Sequence, residues 1–197
     1  MADEKTLAIY DARVSDYSRL TERTGIDPDL VRFMNHLHIG GFVLDLGCGP
    51  GVASQVLRQH GFRPDPVDAS GEMVRFANEN HALGARIGAF EDIDAIAAYD
   101  GVWANFSLLH AKRAEMPMHL AAIHKALKPG GIFHIGMKTG TGESRDKIGR
   151  FYTYYSHDEL EKLLEEAGFA VLDRTIGEDS AGLSGEMSPW MTMLSKT

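Results

Sequence analysis

Short apolar runs of strand length alternate along this chain with longer stretches whose apolar residues recur every three or four positions. The strand-like runs fall at 43–46, 62–68, 84–90, 99–106, 132–137, 169–176 and 190–196. Helical spacing fills the gaps, at 52–58, at 72–80 with Met73, Phe76 and Ala77 inward, at 116–127, and in a last helix ending at Ala167. Ser70 is placed to cap the second of these helices, and Ser156-His157-Asp158-Glu159 forms a capping box that opens the last. Two helical stretches precede the first strand. Residues 3–23 carry Leu7, Tyr10, Val14, Tyr17 and Leu20 at spacings of three and four. Asp27-Pro28 then starts a helix with Leu30, Phe33, Met34 and Leu37 on its apolar face, ended by Gly40-Gly41. Alternation of this kind predicts an α/β domain. Two stretches fit less smoothly. Pro64 and Pro66 have equal parity, so both missing N–H groups face the same neighbour, and the second strand is expected to be short and to start late. The stretch 138–149 is rich in glycine and charge and reads as a mobile loop.

The chemistry gathers first at Val43-Leu44-Asp45-Leu46-Gly47-Cys48-Gly49-Pro50-Gly51. An apolar run ends in a carboxylate and three glycines at alternate positions, and helix-compatible sequence follows at once. That order is strand, tight turn, helix, the opening unit of a nucleotide-binding fold. Dinucleotide sites use G-x-G-x-x-G, and the third glycine of that pattern would fall at Val52. Asp68 lies 68 − 45 = 23 residues beyond Asp45 at the end of the second strand, where such folds place an acid on the ribose hydroxyls.

The nine-residue turn resembles the first motif of class I S-adenosylmethionine-dependent methyltransferases. Three further signals stand in the order that family uses: Asp68, Ser107-Leu108-Leu109-His110 after the fourth strand, and Leu127-Lys128-Pro129-Gly130-Gly131 before the fifth. Within the family, Tyr99 to His110 is most similar to the small tellurite-resistance-type methyltransferases, although Ala111-Lys112 departs from the residues that follow there. The resemblance spans 40–196. It implies a Rossmann-like seven-stranded sheet, mostly parallel with one antiparallel strand and helices on both faces. It implies one methyltransferase domain over 1–197, with residues 1–39 as covering helices and 40–197 as the core. It also implies S-adenosyl-L-methionine as cofactor, held by Tyr10, Tyr17, Asp45, Gly47, Cys48, Gly49, Asp68, Ala69, Met73, Glu91, Asp92, Asn105 and Phe106. Tyr10 and Tyr17 would close over it, and Glu91 or Asp92 would meet the adenine amino group, with a helix-capping role for Asp92 as the alternative.

Composition narrows the acceptor. With 20 basic and 28 acidic residues the net charge is −8, which disfavours a surface built for nucleic acid. Against that background 138–155 concentrates Lys138, Arg145, Lys147 and Arg150 with Tyr152, Tyr154 and Tyr155. A clamp of Arg145, Arg150, Tyr152 and Tyr154 around a small anionic or polar metabolite is expected, with His110 as the proton-accepting or orienting group. Histidine spacing gives no metal site. A single cysteine, a polar and acidic Met1–Asp16 and no long apolar run point to a cytoplasmic protein with no membrane partner. The alternatives are a non-catalytic S-adenosylmethionine sensor and, disfavoured by the glycine spacing, an NAD(P)-dependent oxidoreductase.

Overall fold

The strand that carries the glycine turn, β1 (Phe42–Leu46), is buried along almost its whole length and sits centrally in the sheet. Leu44 and Leu46 face one core with Val102, Ala104 and Ile135, while Val43 faces another with Phe33, Leu57 and Trp103. Burial on both faces is what a parallel strand between helical layers requires. The structure is a computed structural model and describes residues 3–21, 25–179 and 182–197.

The chain before β1 forms α1 (Glu4–Ala12), α2 (Val14–Thr21) and α3 (Pro28–Asn35). After it come α4 (Val52–Gln59), β2 (Arg63–Asp68), α5 (Gly71–His81), β3 (Arg86–Ile87), β4 (Tyr99–Asn105), α6 (Met116–Ala126) and β5 (Leu127–Lys138). A small hairpin of β6 (Glu143–Arg145) and β7 (Phe151–Thr153) follows, then α7 (His157–Glu166), β8 (Ala170–Asp179) and β9 (Ser188–Lys196). The main sheet has seven strands in the order β3-β2-β1-β4-β5-β9-β8. Only β9 runs against its neighbours, pairing antiparallel with both β5 and β8. This is the expected Rossmann-like sheet with one reversed strand. No helix among the described residues is long and apolar enough to cross a membrane.

The departures have physical reasons. The expected helix over 3–23 breaks at Arg13, whose φ of −129° leaves the helical range, and residues 22–24 lie outside the described residues. The break lets Tyr10 and Tyr17 meet edge to face at 5.3 Å, which seven residues of straight helix would keep about 10 Å apart. Strand two is longer than its prolines suggested: Phe42 to Leu46 pair in register with Arg63 to Val67. Arg63 N–H donates to Gly41 O and Val67 O accepts from Gly47 N–H, so odd positions face β1 and both prolines face away. On that side β3 reaches only Val67 and Asp68, so no ladder bond is lost. The third strand accordingly shrinks from 84–90 to two residues. Part of the loop expected at 138–149 is built into the β6–β7 hairpin. Helix α3 packs Leu30, Phe33 and Met34 into the sheet's layer, whereas α1 and α2 lie over the carboxyl edge.

Candidate functional site

At the end of β1 the chain turns with Gly47 at φ +77° and Gly49 at φ +53°. A Cβ on Gly47 would stand 2.3 Å from the Ser107 Cβ, and one on Gly49 would meet the Tyr17 ring at 3.4 Å. Gly47 therefore needs glycine for conformation and for space, and Gly49 for conformation. The turn is pinned to β2: the N–H groups of Gly47 and Cys48 donate to Val67 O at 2.8 and 3.0 Å. Asp68 accepts from Gly49 N–H and Ser70 N–H, each at 2.8 Å. These two bonds orient its carboxylate while leaving lone pairs toward the cleft that it lines. Asp45 is buried and accepts from the Ser54 hydroxyl of α4 at 2.6 Å. Burial, partly offset by that bond, raises its pKa to about 7. Burial, and then the Asp45 and Asp68 charges, push the Cys48 thiol up as well.

Two cavities flank the turn and share Tyr17, Gly47, Gly49, Asn105 and Phe106. The narrower adds Tyr10, Asp68, Ala69, Met73, Ala89, Phe90, Ser107 and His110. The wider adds Asp45, Cys48, Pro50 and Trp103. Helix α1 roofs the narrower one and is fastened on both sides. Asp11 accepts from the Ser70 hydroxyl at 2.5 Å, and Thr6 Oγ1 accepts from Phe151 N–H at 2.8 Å. Asp3 grips Arg145 through both carboxylate oxygens, at 2.7 and 2.9 Å. That guanidinium holds the Asp3 carboxyl well below the usual range.

A hydrogen-bonded chain closes the far end of the cleft. His110 Nδ1 lies 2.6 Å from Phe151 O, and a carbonyl only accepts, so Nδ1 carries the proton. The Nε2 lone pair then receives the Tyr10 hydroxyl, at 2.9 Å. Tyr10 in turn accepts from Arg150 Nη1 at 2.9 Å. Arg150 is buried and paired with Asp146, whose Oδ2 accepts from its Nε at 2.9 Å, while its Nη2 makes no hydrogen bond of good geometry. Lys138 Nζ rests 4.2 Å from the centre of the Tyr152 ring and has no ion-pair partner among the described residues. Burial, with the charges of Arg150 and Lys138 nearby, lowers the His110 pKa to about 4, so the imidazole is neutral at pH 7.

Of the residues singled out from sequence, Tyr10, Tyr17, Gly47, Gly49, Asp68, Ala69, Met73, Asn105 and Phe106 line the narrower cavity, and Asp45 and Cys48 the wider. Glu91 and Asp92 line neither. The turn at 90–92 leaves both exposed, and Asp92 caps Ala89 N–H at 2.8 Å, so Ala89 and Phe90 form that wall instead. The expected clamp divides. Arg150 and Tyr152 share one face of the hairpin; the Tyr152 ring lies 4.7 Å from the His110 imidazole, and Arg150 is linked to it through the Tyr10 hydroxyl. Arg145 pairs with Phe151, projects from the opposite face and ends on Asp3. Tyr154 packs over Gly140, away from the cleft. Sequence reasoning missed Asp3, Thr6 and Leu7 as wall residues, although Thr6 and Leu7 precede Tyr10 at the spacing of one helix face. It also missed Asp146 and His134.

A seven-stranded sheet with a reversed penultimate strand, a glycine turn over its carboxyl edge and an acid ending β2 is the architecture of a nucleotide-cofactor fold of the methyltransferase type. The chain belongs to the methyltransferase domain family, whose model matches residues 22–174. It is 32% identical over 106 residues to a malonyl-[acyl-carrier protein] O-methyltransferase of Erwinia pyrifoliae, a match that covers 51% of this chain and 39% of that protein. It is 26% identical over 163 residues to the O-methyltransferase rstn1 of Aspergillus nomiae, covering 74% and 71%. Its fold is shared, at a TM-score of 0.74 and 23% identity, with a Burkholderia thailandensis 1,6-didemethyltoxoflavin-N1-methyltransferase solved with 1,6-didemethyltoxoflavin and S-adenosylhomocysteine; that match covers all of this chain and 91% of the other. S-adenosylmethionine is the cofactor that family and fold imply. The residues present fit it: the turn leaves a cradle at Gly49 that a Cβ would fill, and Asp68 faces the cleft with acceptors to spare.

Proposed function

We propose that this chain is a single S-adenosylmethionine-dependent methyltransferase domain, residues 1–197, acting on a small anionic or polar metabolite in the cytoplasm. The observation that carries the acceptor half of the reading is the chain Asp146–Arg150–Tyr10–His110 at the end of the cleft. When bound, S-adenosylmethionine supplies a methyl group already activated on a sulfonium, so the protein's task is chiefly alignment and exclusion of water. Asp68 is the group to accept the ribose hydroxyl hydrogens. Tyr17, lying over Gly49, and Phe106 at the end of β4 wall the middle of the cleft. Tyr10 and His110 then serve the acceptor as a pair. As the Tyr10 oxygen takes the acceptor's proton, the proton it already holds passes to His110 Nε2. At a pKa of about 4 the ring holds it only transiently and gives it up to solvent after transfer, while the Nδ1–H···O=C bond to Phe151 keeps the ring aimed. Arg150 stabilises the Tyr10 oxygen through that exchange. Asp146 offsets the Arg150 charge, which leaves Lys138 to set a positive field favouring an anion. The further likeness of residues 99–110 to tellurite-resistance-type enzymes is part of this proposal and stands beside relatives bearing other substrate names.

Calorimetry with S-adenosylmethionine, S-adenosylhomocysteine and NAD tests the cofactor half. Binding of the first two is expected, and Asp68→Ala should lose about 1.5–3 kcal/mol of it, the worth of hydrogen bonds to a charged group. Binding of NAD alone would sink the assignment. Incubation with labelled donor and fractionated metabolite extract tests the acceptor half, with label expected in the anionic fraction. Tight donor binding with no labelled product in any fraction would favour a sensor.

A further inference from the structure

We infer that His134 is a positioning residue: it fixes the Asn105 side-chain amide so that the amide N–H groups face the cleft and receive the carboxylate of the cofactor's amino-acid end. The inference rests on the S-adenosylmethionine reading above. His134 lies in the middle of β5, within Ile132-Phe133-His134-Ile135, and is 2% exposed. An aliphatic residue would fill that strand position at less desolvation cost. Burial, and then the charge of Arg32, lower its pKa to about 3, so it sits in the core as a neutral ring.

Its geometry shows what the ring is for. The register of β4 and β5 sets His134 beside Trp103 and Gly136 beside Asn105, all on one face of the sheet. The imidazole lies flat on the Trp103 indole, with ring centres 3.8 Å apart and planes within 14°. From there Nε2 reaches Asn105 Oδ1 at 3.1 Å. The missing side chain at Gly136 opens the path, since a Cβ there would come within 2.5 Å of Oδ1. Because Oδ1 accepts, Nε2 carries the proton, and Asn105 Nδ2 with its two donors is turned the other way. Asn105 ends β4 and lines both cavities, and Trp103 lines the wider one. Asp68 marks the narrower cavity as the ribose end, which puts the amino-acid end in the wider one. A carboxylate there is an acceptor only, matched to the amide's donors. His134 itself lines neither cavity, so it acts only through Asn105.

Calorimetry on the full chain separates this role from a structural one by using two ligands. S-adenosylhomocysteine has the amino-acid end, and 5′-methylthioadenosine keeps the nucleoside and thioether without it. His134→Leu and Asn105→Ala should each weaken S-adenosylhomocysteine about tenfold and leave methylthioadenosine within twofold of wild type. The double variant should be no worse than either single one, and His134→Gln, which retains an N–H, should recover most of the loss. Should His134→Leu fail to fold, His134→Phe keeps the stack on Trp103 without the N–H and takes its place. Equal weakening of both ligands, or of neither, overturns the positioning role. A wild-type protein that binds neither ligand overturns the cofactor reading instead, and this inference with it.

Discussion

Removing one oxygen atom, in Tyr10→Phe, tests the acceptor end of the cleft most sharply. The hydroxyl makes two hydrogen bonds of 2.9 Å, donating to the neutral His110 Nε2 and accepting from the charged Arg150 Nη1. Its loss leaves one acceptor and one cationic donor without a partner, at about 1–3 kcal/mol each when fully buried. The cleft side admits water, so the lower part of that range applies and the sum is about 2–3 kcal/mol. For a chain of this size that lowers Tm by roughly 5–10 °C. Kinetics carry the stronger test. If proton transfer runs through Tyr10 to His110, Tyr10→Phe and His110→Asn each lower kcat/KM by about 10²-fold, within the usual range for a positioned acid–base group. The double variant then falls no further than about 10²-fold, whereas independent effects would multiply to about 10⁴-fold; the difference is a coupling of about 2.7 kcal/mol. The assay is initial-rate transfer of labelled methyl to an acceptor from the extract screen, with the four proteins side by side. A double variant at the product of the singles, or Tyr10→Phe at the wild-type rate, refutes the relay.

Acid should destabilise the fold through its buried histidines. His134 and His110 titrate near 3 and 4 when folded and near 6.5 when unfolded, so their contribution is complete above pH 6.5 and is lost as pH falls through the folded values. Asp45, raised to about 7, acts in the opposite sense between about 4 and 7, and the raised Asp68 and lowered His119 oppose each other, so the net slope between pH 6.5 and 4.5 is about one proton, or about 1.4 kcal/mol per pH unit. Urea unfolding at three pH values should show this slope, steeper in Asp45→Asn and shallower in His134→Gln; a flat profile would mean that the histidines are solvated. Gly47→Ala must place its Cβ at 2.3 Å from Ser107 with φ near +77°, and a loss of about 2–4 kcal/mol is expected from strain and overpacking together. A loss below about 1 kcal/mol in the same experiment would show that the turn relaxes at little cost.

The turn could be read from sequence because its requirements are local. A turn that takes positive φ at alternate positions calls for glycine at each of them, and the capping box at Ser156 and the N-cap at Asp27 are equally local. The run that forms β9 was legible in the pattern, but its reversal came only from the resemblance to the methyltransferase family. What could not be read depends on register or on distant contact. Arg145 and Arg150 look alike in a charged loop, and only the pairing of Arg145 with Phe151 sends one outward and the other toward His110. Asp92 and an adenine-facing acid have the same sequence signature until the 90–92 turn directs the carboxylate back to Ala89. His134 sits in a run whose pattern says core, and its partner Asn105 lies 29 positions away. The break at Arg13 carries no glycine or proline to announce it.

The fastening of α1 has a kinetic consequence. One nine-residue helix touches the nucleotide side of the cleft through Asp11 and Ser70, and the acceptor side through Tyr10, Thr6 and Asp3. Detachment of α1 would therefore uncover the narrower cavity from its Asp68 side to its His110 side in a single event. Each such opening would break the Asp3–Arg145 pair and the Ser70–Asp11 bond together. The timing of turnover would thus be written at the helix ends, some way from where the methyl group moves.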